Sequence, residues 1–389
     1  MNISKKCAKI IRYQLAGAQK KAGVNTWRYV FNAVENGTGL ERKFFIELSM
    51  LNPYLSPSDV VLGFKPRVKV SEDDLQNVLA GTLSAQKLQS ESILTPSYVV
   101  VRAGVLGSGA KQICDYFPIK QINLDTKNFS VEAGNCVFTE EKLSGRMDFS
   151  PSELHDHPEQ LCESGIISWE LRYEIKDFFD EGYEGKNSSW YATGIRTVFA
   201  GNITLDGKEY SIQPRKSCGY MDRFFGKSYP ENYIHLSSSN LTSQITGKFL
   251  SDSSFSVTGV YDGRVNVMVN LEGLKVSFCA SKPKSAYQCV NDFSQMPEVD
   301  GSEKLHWTIS TNDKNYVVDV DVFCLAKLMY VRSLELPEGE RKVLKQLMGG
   351  NGTGEIRLYK RIKKNLELIE HAEIQTCLCE FGQLELPEN

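Results

Sequence analysis

The chain has 389 residues, a formal net charge of −3, 41% hydrophobic residues and 24% charged residues. This balance is typical of an ordinary globular protein with room for two domains, and it excludes a disordered chain. The sequence has no uninterrupted run of 18 apolar residues, so it predicts no transmembrane helix. Charges scattered through the first 21 residues leave no clean apolar segment for a secretory signal.

The ten cysteines are scattered, without a CxxC pair or the regular spacing of a disulfide framework. We therefore predict reduced thiols and a cytoplasmic protein. The pattern suggests neither a metal site nor a cofactor, and we expect none.

Charge is distributed unevenly along the chain. Residues 1–34 hold seven Lys or Arg and no acid, whereas the remainder holds 38 basic and 48 acidic residues. One interpretation is a segment that contacts an anionic membrane, which would place a cytoplasmic protein at the membrane periphery. The other is a solvated helix that packs across the acidic body. No basic stripe or known motif indicates a nucleic-acid partner.

Helical signals are confined to a few places. Apolar residues recur at helical spacing in Ile10–Leu15 and again in Trp27–Val34, which predicts a basic helical arm over residues 1–36. A second helix is predicted over 72–88. A third, short one is predicted to begin at Ser150-Pro151.

Most of the remaining chain alternates apolar and polar residues with period two, as in 167–175 and 318–322. Asp206-Gly207 is a hairpin signal between two such runs. Many short strands with few helices between them predict a mainly β fold of two antiparallel barrels or sandwiches. We place the two β domains at 37–214 and 215–389.

The most informative stretch is residues 219–240, GYMDRFFGKSYPENYIHLSSSN. It places one acid, Asp222, among aromatic residues. Such a composition suits an apolar pocket that contains one polar group. A carboxyl group desolvated in this way would resist ionisation and could act as a proton donor.

Several landmarks follow one another in an order that resembles a known family. They are FFIELSMLNP at 44–53, PSYVVVRAG at 96–104, ISWELRYE at 167–174, Trp190-Tyr191, GNITLDGKEYSI at 201–212 and GYMDRFFG at 219–226. This order resembles the tocopherol cyclase-like and carotenoid 1,2-hydratase-like family of the lipocalin-like superfamily, over residues 40–385. Arg223 and Phe225 differ from the common family pattern, in positions that bear on substrate choice.

The resemblance implies two tandem lipocalin-like barrels and acid-catalysed cyclisation or hydration of a lipophilic prenyl, quinol or polyene substrate. In that family the equivalent acid donates a proton to an alkene, with a tryptophan in the same cavity. Asp222 and Trp190 would take these catalytic roles here. The expected substrate-binding residues are Trp169, Tyr191, Tyr220, Phe224, Phe225, Tyr233 and His235.

Two other interpretations remain open from the sequence. Asp222 could instead pair with Arg223 or Arg215, or cap a turn, and His235 could be a buried structural histidine. The protein could then be a non-catalytic carrier of a hydrophobic ligand.

Overall fold

The computed structural model describes residues 4–16, 22–63, 72–84, 94–157, 160–230, 232–261, 263–279, 287–298, 301–339 and 343–385. These residues form two large antiparallel β-sheets with short helices at the surface. The predicted mainly β fold is confirmed. Within the described ranges no helix is long and apolar enough to span a bilayer.

The first sheet contains thirteen strands of the described chain and runs in the order β4-β3-β2-β1-β12-β11-β9-β8-β7-β6-β5, with β10 on β11, and β13 on β1 and β11. Its strands are β1 (Val24–Glu35), β2 (Glu41–Leu51), β3 (Tyr98–Val105), β4 (Lys111–Phe117), β5 (Asn123–Asp125), β6 (Ser130–Ala133), β7 (Cys136–Thr139), β8 (Lys142–Phe149), β9 (Gly165–Asp177), β10 (Tyr183–Glu184), β11 (Ser188–Leu205), β12 (Lys208–Ile212) and β13 (Gly219–Gly226).

The second sheet contains ten described strands in the order β17-β16-β15-β14-β23-β22-β20-β19-β18, with β21 on β22. Its strands are β14 (Asn232–Ser243), β15 (Ser254–Val260), β16 (Val265–Leu271), β17 (Leu274–Phe278), β18 (Gln288–Pro297), β19 (Glu303–Asn312), β20 (Tyr316–Leu325), β21 (Tyr330–Glu335), β22 (Val343–Ile362) and β23 (Asn365–Glu385).

Both sheets curl around apolar interiors. In the first sheet, Ile113 of β4 and Val131 of β6 come from opposite ends of the strand order yet share one core. In the second, Val276 of β17 and Trp307 of β19 do the same. A sheet whose two ends contribute to one core must bend back on itself, so each half is barrel-like.

The helices are short: α1 (Lys5–Ile11), α2 (Glu72–Leu79) and α3 (Pro151–Asp156), with 3₁₀ turns at Pro53–Leu55, Ile119–Gln121, Pro214–Lys216 and Ala326–Leu328. The helix predicted at Ser150 is confirmed, with the side chains of Ser150 and Glu153 forming a capping box. The helix predicted over 72–88 ends at Leu79, and its last residues lie outside the described ranges.

The helix predicted for the second part of the basic arm is wrong. Residues 24–35 form β1, which pairs with β2, β12 and β13 in the middle of the first sheet. Ten consecutive residues of this strand are buried because both of its faces are covered. Val24 and Val30 lie on the same face as Thr26 and Arg28, which weakened the period-two pattern, and the spacing of Trp27–Val34 then matched a helix by coincidence.

The two sheets pack against each other through the faces that point away from their cores. Residues 26, 28 and 30 of β1 face the second sheet, while Trp27, Tyr29 and Phe31 face the first core. β13, which the sequence boundary at 214 assigned to the second half, is paired into the first sheet. The change from one sheet to the other therefore falls between Gly226 and Asn232. The inter-sheet layer contains the site described next.

Candidate functional site

A pocket opens between the two sheets, and its two sides differ in chemistry. It has about 410 Å³ of empty space, including the part open to solvent, of which about 40 Å³ admits the centre of a water molecule. One side is apolar and mostly aromatic, formed by Trp190, Phe224, Tyr229, Pro230, Tyr233 and Leu334. The other side is polar, formed by Thr26, Arg28, Glu47, Asp222, Arg332 and Gln346. Such a lining suits a small amphipathic molecule.

Asp222 lies on the polar side and is held by two donors. Its register partner on β1 is Arg28, whose Nε donates to Oδ1 at 3.2 Å and whose Nη2 donates to Oδ2. The indole Nε1 of Trp190 donates to Oδ2 at 2.9 Å. Asp222 and Arg28 are almost fully buried, with 3% and 4% of their surfaces exposed. The family resemblance implied catalytic roles for Asp222 and Trp190, and the structure brings the two residues into direct contact.

The predicted surroundings of Asp222 are wrong in one respect. Asp222 is one member of an ion pair rather than a lone carboxyl group among aromatic rings, because Arg28 is bidentate on it. The alternative partners, Arg223 and Arg215, are wrong as well, and Arg215 is exposed in the 3₁₀ turn Pro214–Lys216. Arg223 points to the other face of β13, where its guanidinium lies 3.7 Å from the Trp27 ring centroid and donates to backbone carbonyls.

Arg28 also binds a second buried carboxyl group. Its Nη1 donates to Oε1 of Glu380, on β23 of the second sheet. Glu380 is completely buried, and its Oε2 has no hydrogen-bond partner among the described residues. Burial outweighs the attraction of Arg28 and raises the pKa of Glu380 to about 7. One guanidinium thus joins two carboxyl groups from different sheets.

A second charged cluster lies beside the first. Oε1 of Glu47 accepts from Arg102 and Oε2 accepts from Arg332, each at 2.8 Å. Arg332 also donates to the side-chain oxygens of Gln346 and Gln112, so it bridges the two sheets. Burial alone would raise the pKa of Glu47, but Arg332 and Arg102 outweigh it and lower the pKa to about 2. Glu47 is therefore ionised and unsuited to donate a proton.

The aromatic wall is built in layers around Trp190. Its ring stacks on His235 with a centroid distance of 4.9 Å and meets Tyr233 edge-on at 5.4 Å. Phe224 stacks on Tyr229 at 4.9 Å. Tyr233 and Phe224 therefore contribute to the pocket as expected.

His235 and Tyr220 lie behind this wall. Their ring centroids are 5.1 Å apart, and neither residue lines the pocket. Neither ring nitrogen of His235 has a hydrogen-bond partner within the described chain. Burial, reinforced by the charge of Arg28, holds the pKa of His235 well below its usual range. The imidazole is accordingly neutral, and it supports Trp190 by stacking.

Three residues predicted to bind substrate lie elsewhere. Tyr191 and Phe225 follow Trp190 and Phe224 in sequence and so point to the opposite face of their strands, where they stack on each other at 6.0 Å. Trp169 belongs to the interior of the first sheet. The order of landmarks gave no information on which face of a strand each residue occupies.

Four residues of the site were not predicted from the sequence: Arg28, Glu47 and Arg332 on the polar side, and Glu380 behind Arg28. Arg28 was counted among the basic residues of the predicted arm. A single charge inside an apolar run, as in NTWRYVF or CLCEFG, is the signal that could have indicated these residues. Their partners could not be read from the chain, since 194 residues separate Arg28 from Asp222 and 352 separate it from Glu380.

Comparisons with known proteins yield similarity of structure alone. No protein-family model matches the chain, and no curated protein matches it. A protein of Nitrosomonas europaea described as an AttH candidate is 9% identical, with a TM-score of 0.44 over 92% of this chain and 91% of that one. Kievitone hydratase of Nectria haematococca is 10% identical, with a TM-score of 0.42 over 96% and 93% of the two chains. Neither similarity assigns a role to a residue of this protein.

Proposed function

We propose that this protein is an enzyme that protonates a carbon–carbon double bond of a lipophilic small molecule, leading to hydration or cyclisation. The observation that carries the proposal is the position of Asp222, which lines the inter-sheet pocket. It contacts the charged side chain of Arg28 and the aromatic side chain of Trp190. The ordered motifs that resemble the tocopherol cyclase-like family support the same reaction class. Prenyl, quinol and polyene compounds are the substrate classes to which the proposal applies.

The proton would be supplied through the Asp222–Arg28–Glu380 group. Burial raises the pKa of Glu380 to about 7, and the charge of Asp222 adds to this rise. Near neutral pH Glu380 can therefore hold a proton, and Arg28 joins it to Asp222. Asp222 lines the pocket and would deliver the proton to the substrate, whereas Glu380 lies behind Arg28.

The reaction then balances without a further reagent. Asp222 gives its proton to one alkene carbon, and the π electrons form the new C–H bond. The cation on the other carbon would form in a pocket lined by the aromatic rings of Trp190 and Tyr233, whose π electrons stabilise positive charge. Water or a hydroxyl group of the substrate attacks the cation, and the proton that it releases returns to the Asp222 carboxylate.

A second candidate function is that of a carrier for a hydrophobic ligand. The favouring observation is that both oxygens of Asp222 already accept hydrogen bonds, from Arg28 and Trp190. In a carrier these contacts would only join the sheets and orient the polar end of the ligand.

The test begins with mass spectrometry of an organic extract of the protein purified gently from its own host, which names the compound class to assay. Turnover of that class is then compared in Asp222→Asn and in Asp177→Asn. Asp177 is a matched control because it is a buried, ion-paired aspartate, bound by Lys275 and Asn270, that does not line the pocket.

We expect Asp222→Asn to abolish turnover while Asp177→Asn retains it in the folded fraction. Equal turnover in the two variants would refute the enzymatic role of Asp222. Stoichiometric ligand in the extract, bound equally by Asp222→Asn and never converted, would establish the carrier.

A further inference from the structure

The longest hairpin of the second sheet ends in an exposed tip. Strands β22 and β23 pair from Val343↔Glu385 to Ile362↔Asn365, with Lys363-Lys364 at the turn. Residues 360–368, which we call the hairpin tip, are exposed without interruption. The tip reads KRIKKNLEL.

The tip combines positive charge with exposed apolar side chains. The tip contains four basic residues and one acid, so its net charge is +3. The basic residues are Lys360, Arg361, Lys363 and Lys364, and the acid is Glu367. Between them, Ile362, Leu366 and Leu368 expose 46%, 49% and 42% of their surfaces. Basic residues alone would be explained as protection of a strand end against aggregation. Three large apolar residues in the same nine positions require another explanation, because water contact with them is unfavourable.

The strand register places these groups on both faces of the tip. Leu366 is paired with Arg361, and Leu368 with Tyr359, so each exposed leucine lies beside the side chain of its partner on one face. Ile362 and Lys360 occupy the other face. A tip with apolar and cationic groups on both faces can enter an interface end-on.

Neighbouring strands end before the tip does. β20 pairs with β22 only as far as Tyr316↔Lys360, and β14 pairs with β23 only from Ala372 onward. Beyond them, the backbone contacts are Arg361 N–H to Asn315 O at 2.7 Å and Gln244 N–H to His371 O at 2.7 Å. The turn after β14 adds another exposed apolar residue, Ile245, at 56%.

We propose that the hairpin tip docks the protein on an anionic lipid bilayer. The cationic side chains complement the headgroup charge, and the apolar side chains enter the boundary between headgroups and acyl chains. The N-terminal segment fits this role less well. In α1 the lysines are exposed, but Cys7, Ile10 and Ile11 are buried against the first sheet, so the described part of the segment offers charge without an apolar group to insert.

The size of the effect follows from the charges. A basic residue near an anionic membrane contributes about 1 kcal/mol, so removal of two lysines should weaken binding roughly 30-fold at low salt. The loss should shrink as ionic strength rises, because salt screens the attraction. Leu366→Ser should also weaken binding but leave the salt dependence in place.

The experiment is co-sedimentation of the full chain with vesicles of phosphatidylcholine alone or with 30% phosphatidylserine (about a physiological anionic fraction). Lys363→Gln/Lys364→Gln is compared with Lys5→Gln/Lys6→Gln, which removes the same charge from exposed positions of α1. Circular dichroism and the unfolding midpoint confirm that both variants are folded.

The proposal predicts binding only to the anionic vesicles and a selective loss in the hairpin variant. Equal losses of vesicle binding in the two double variants would mean that the membrane attracts the protein through its overall charge. This result would overturn the proposal. A loss confined to the α1 variant would assign docking to the N-terminal segment. If the hairpin variant changes the sedimentation coefficient of the free protein instead, the tip is a contact between copies, which also overturns the proposal.

Discussion

The buried carboxyl group of Glu380 should make this protein less stable as pH rises through neutrality. Its pKa is raised from 4.5 to about 7 by burial, which outweighs its contact with Arg28. Below pH 4.5 the group is protonated in both the folded and the unfolded chain. Between pH 4.5 and 7 the unfolded chain releases the proton while the folded one keeps it, so the free energy of unfolding falls. At 1.36 kcal/mol per pKa unit, the loss reaches about 3 kcal/mol above pH 7.

Glu380→Gln removes this ionisation and keeps an oxygen for Arg28. We expect the variant to match the wild type at pH 4.5 and to exceed its stability by up to about 3 kcal/mol at pH 8. Urea unfolding followed by tryptophan fluorescence at pH 4.5, 6, 7 and 8 measures the difference. A variant that is less stable than the wild type at pH 8 would refute the reasoning, because the ion pair with Arg28 would then outweigh burial.

Glu47→Gln is the matched variant of opposite sign. Arg332 and Arg102 lower the pKa of Glu47 to about 2, so its ionised form stabilises the fold above pH 4.5, and this contribution disappears as pH falls through 2. The substitution should therefore cost about 3 kcal/mol, with no change between pH 5 and 8. A cost that varies over this range would show that the two clusters titrate together.

Two further substitutions test the packing of the site. Trp190→Phe removes the donor to Asp222 and should lower the free energy of unfolding by about 1–2 kcal/mol more than Trp169→Phe does. Trp169 is the control because its indole nitrogen has no partner within the described residues. Equal losses in the two variants would contradict the hydrogen bond from Trp190 to Asp222. A Cβ at Gly382 would lie 2.0 Å from the Tyr233 ring, so Gly382→Ala should lower the free energy of unfolding by about 1–3 kcal/mol and weaken ligand binding. If neither quantity changes, the Tyr233 ring can move aside without cost.

Period-two alternation was sufficient to predict the class of fold. It was visible in β9 and β20, because one face of each packs on a core while the other carries polar residues. It failed for β1, which is covered on both faces. Val24 and Val30 share a face with Thr26 and Arg28, which weakens the contrast between faces that the prediction uses. The run then resembles a helix as easily as a strand.

Only part of the site could be predicted from the sequence, for a related reason. Asp222 and Phe224 lie in one motif, and local alternation puts them on one face of β13, while Trp190 belongs to a separate landmark of the same family resemblance. The chemistry of Asp222 depends on Arg28 and Glu380, which reach it through strand pairings between distant parts of the chain. No local pattern specifies those pairings. The sequence therefore predicted that Asp222 is an isolated acid, whereas the structure pairs it with Arg28.

The triad of Asp222, Arg28 and Glu380 also has a consequence for biosynthesis. The strands of the first sheet are all present once residue 226 has been made, but Arg28 then still lacks its partner on the final strand, β23. A nascent chain must therefore hold a face bearing Arg28, Glu47 and Arg102 toward water until the last strands arrive. Domains generally fold in order during synthesis, and contacts this distant form slowly. Ribosome-bound intermediates should consequently possess a folded first sheet but no assembled site.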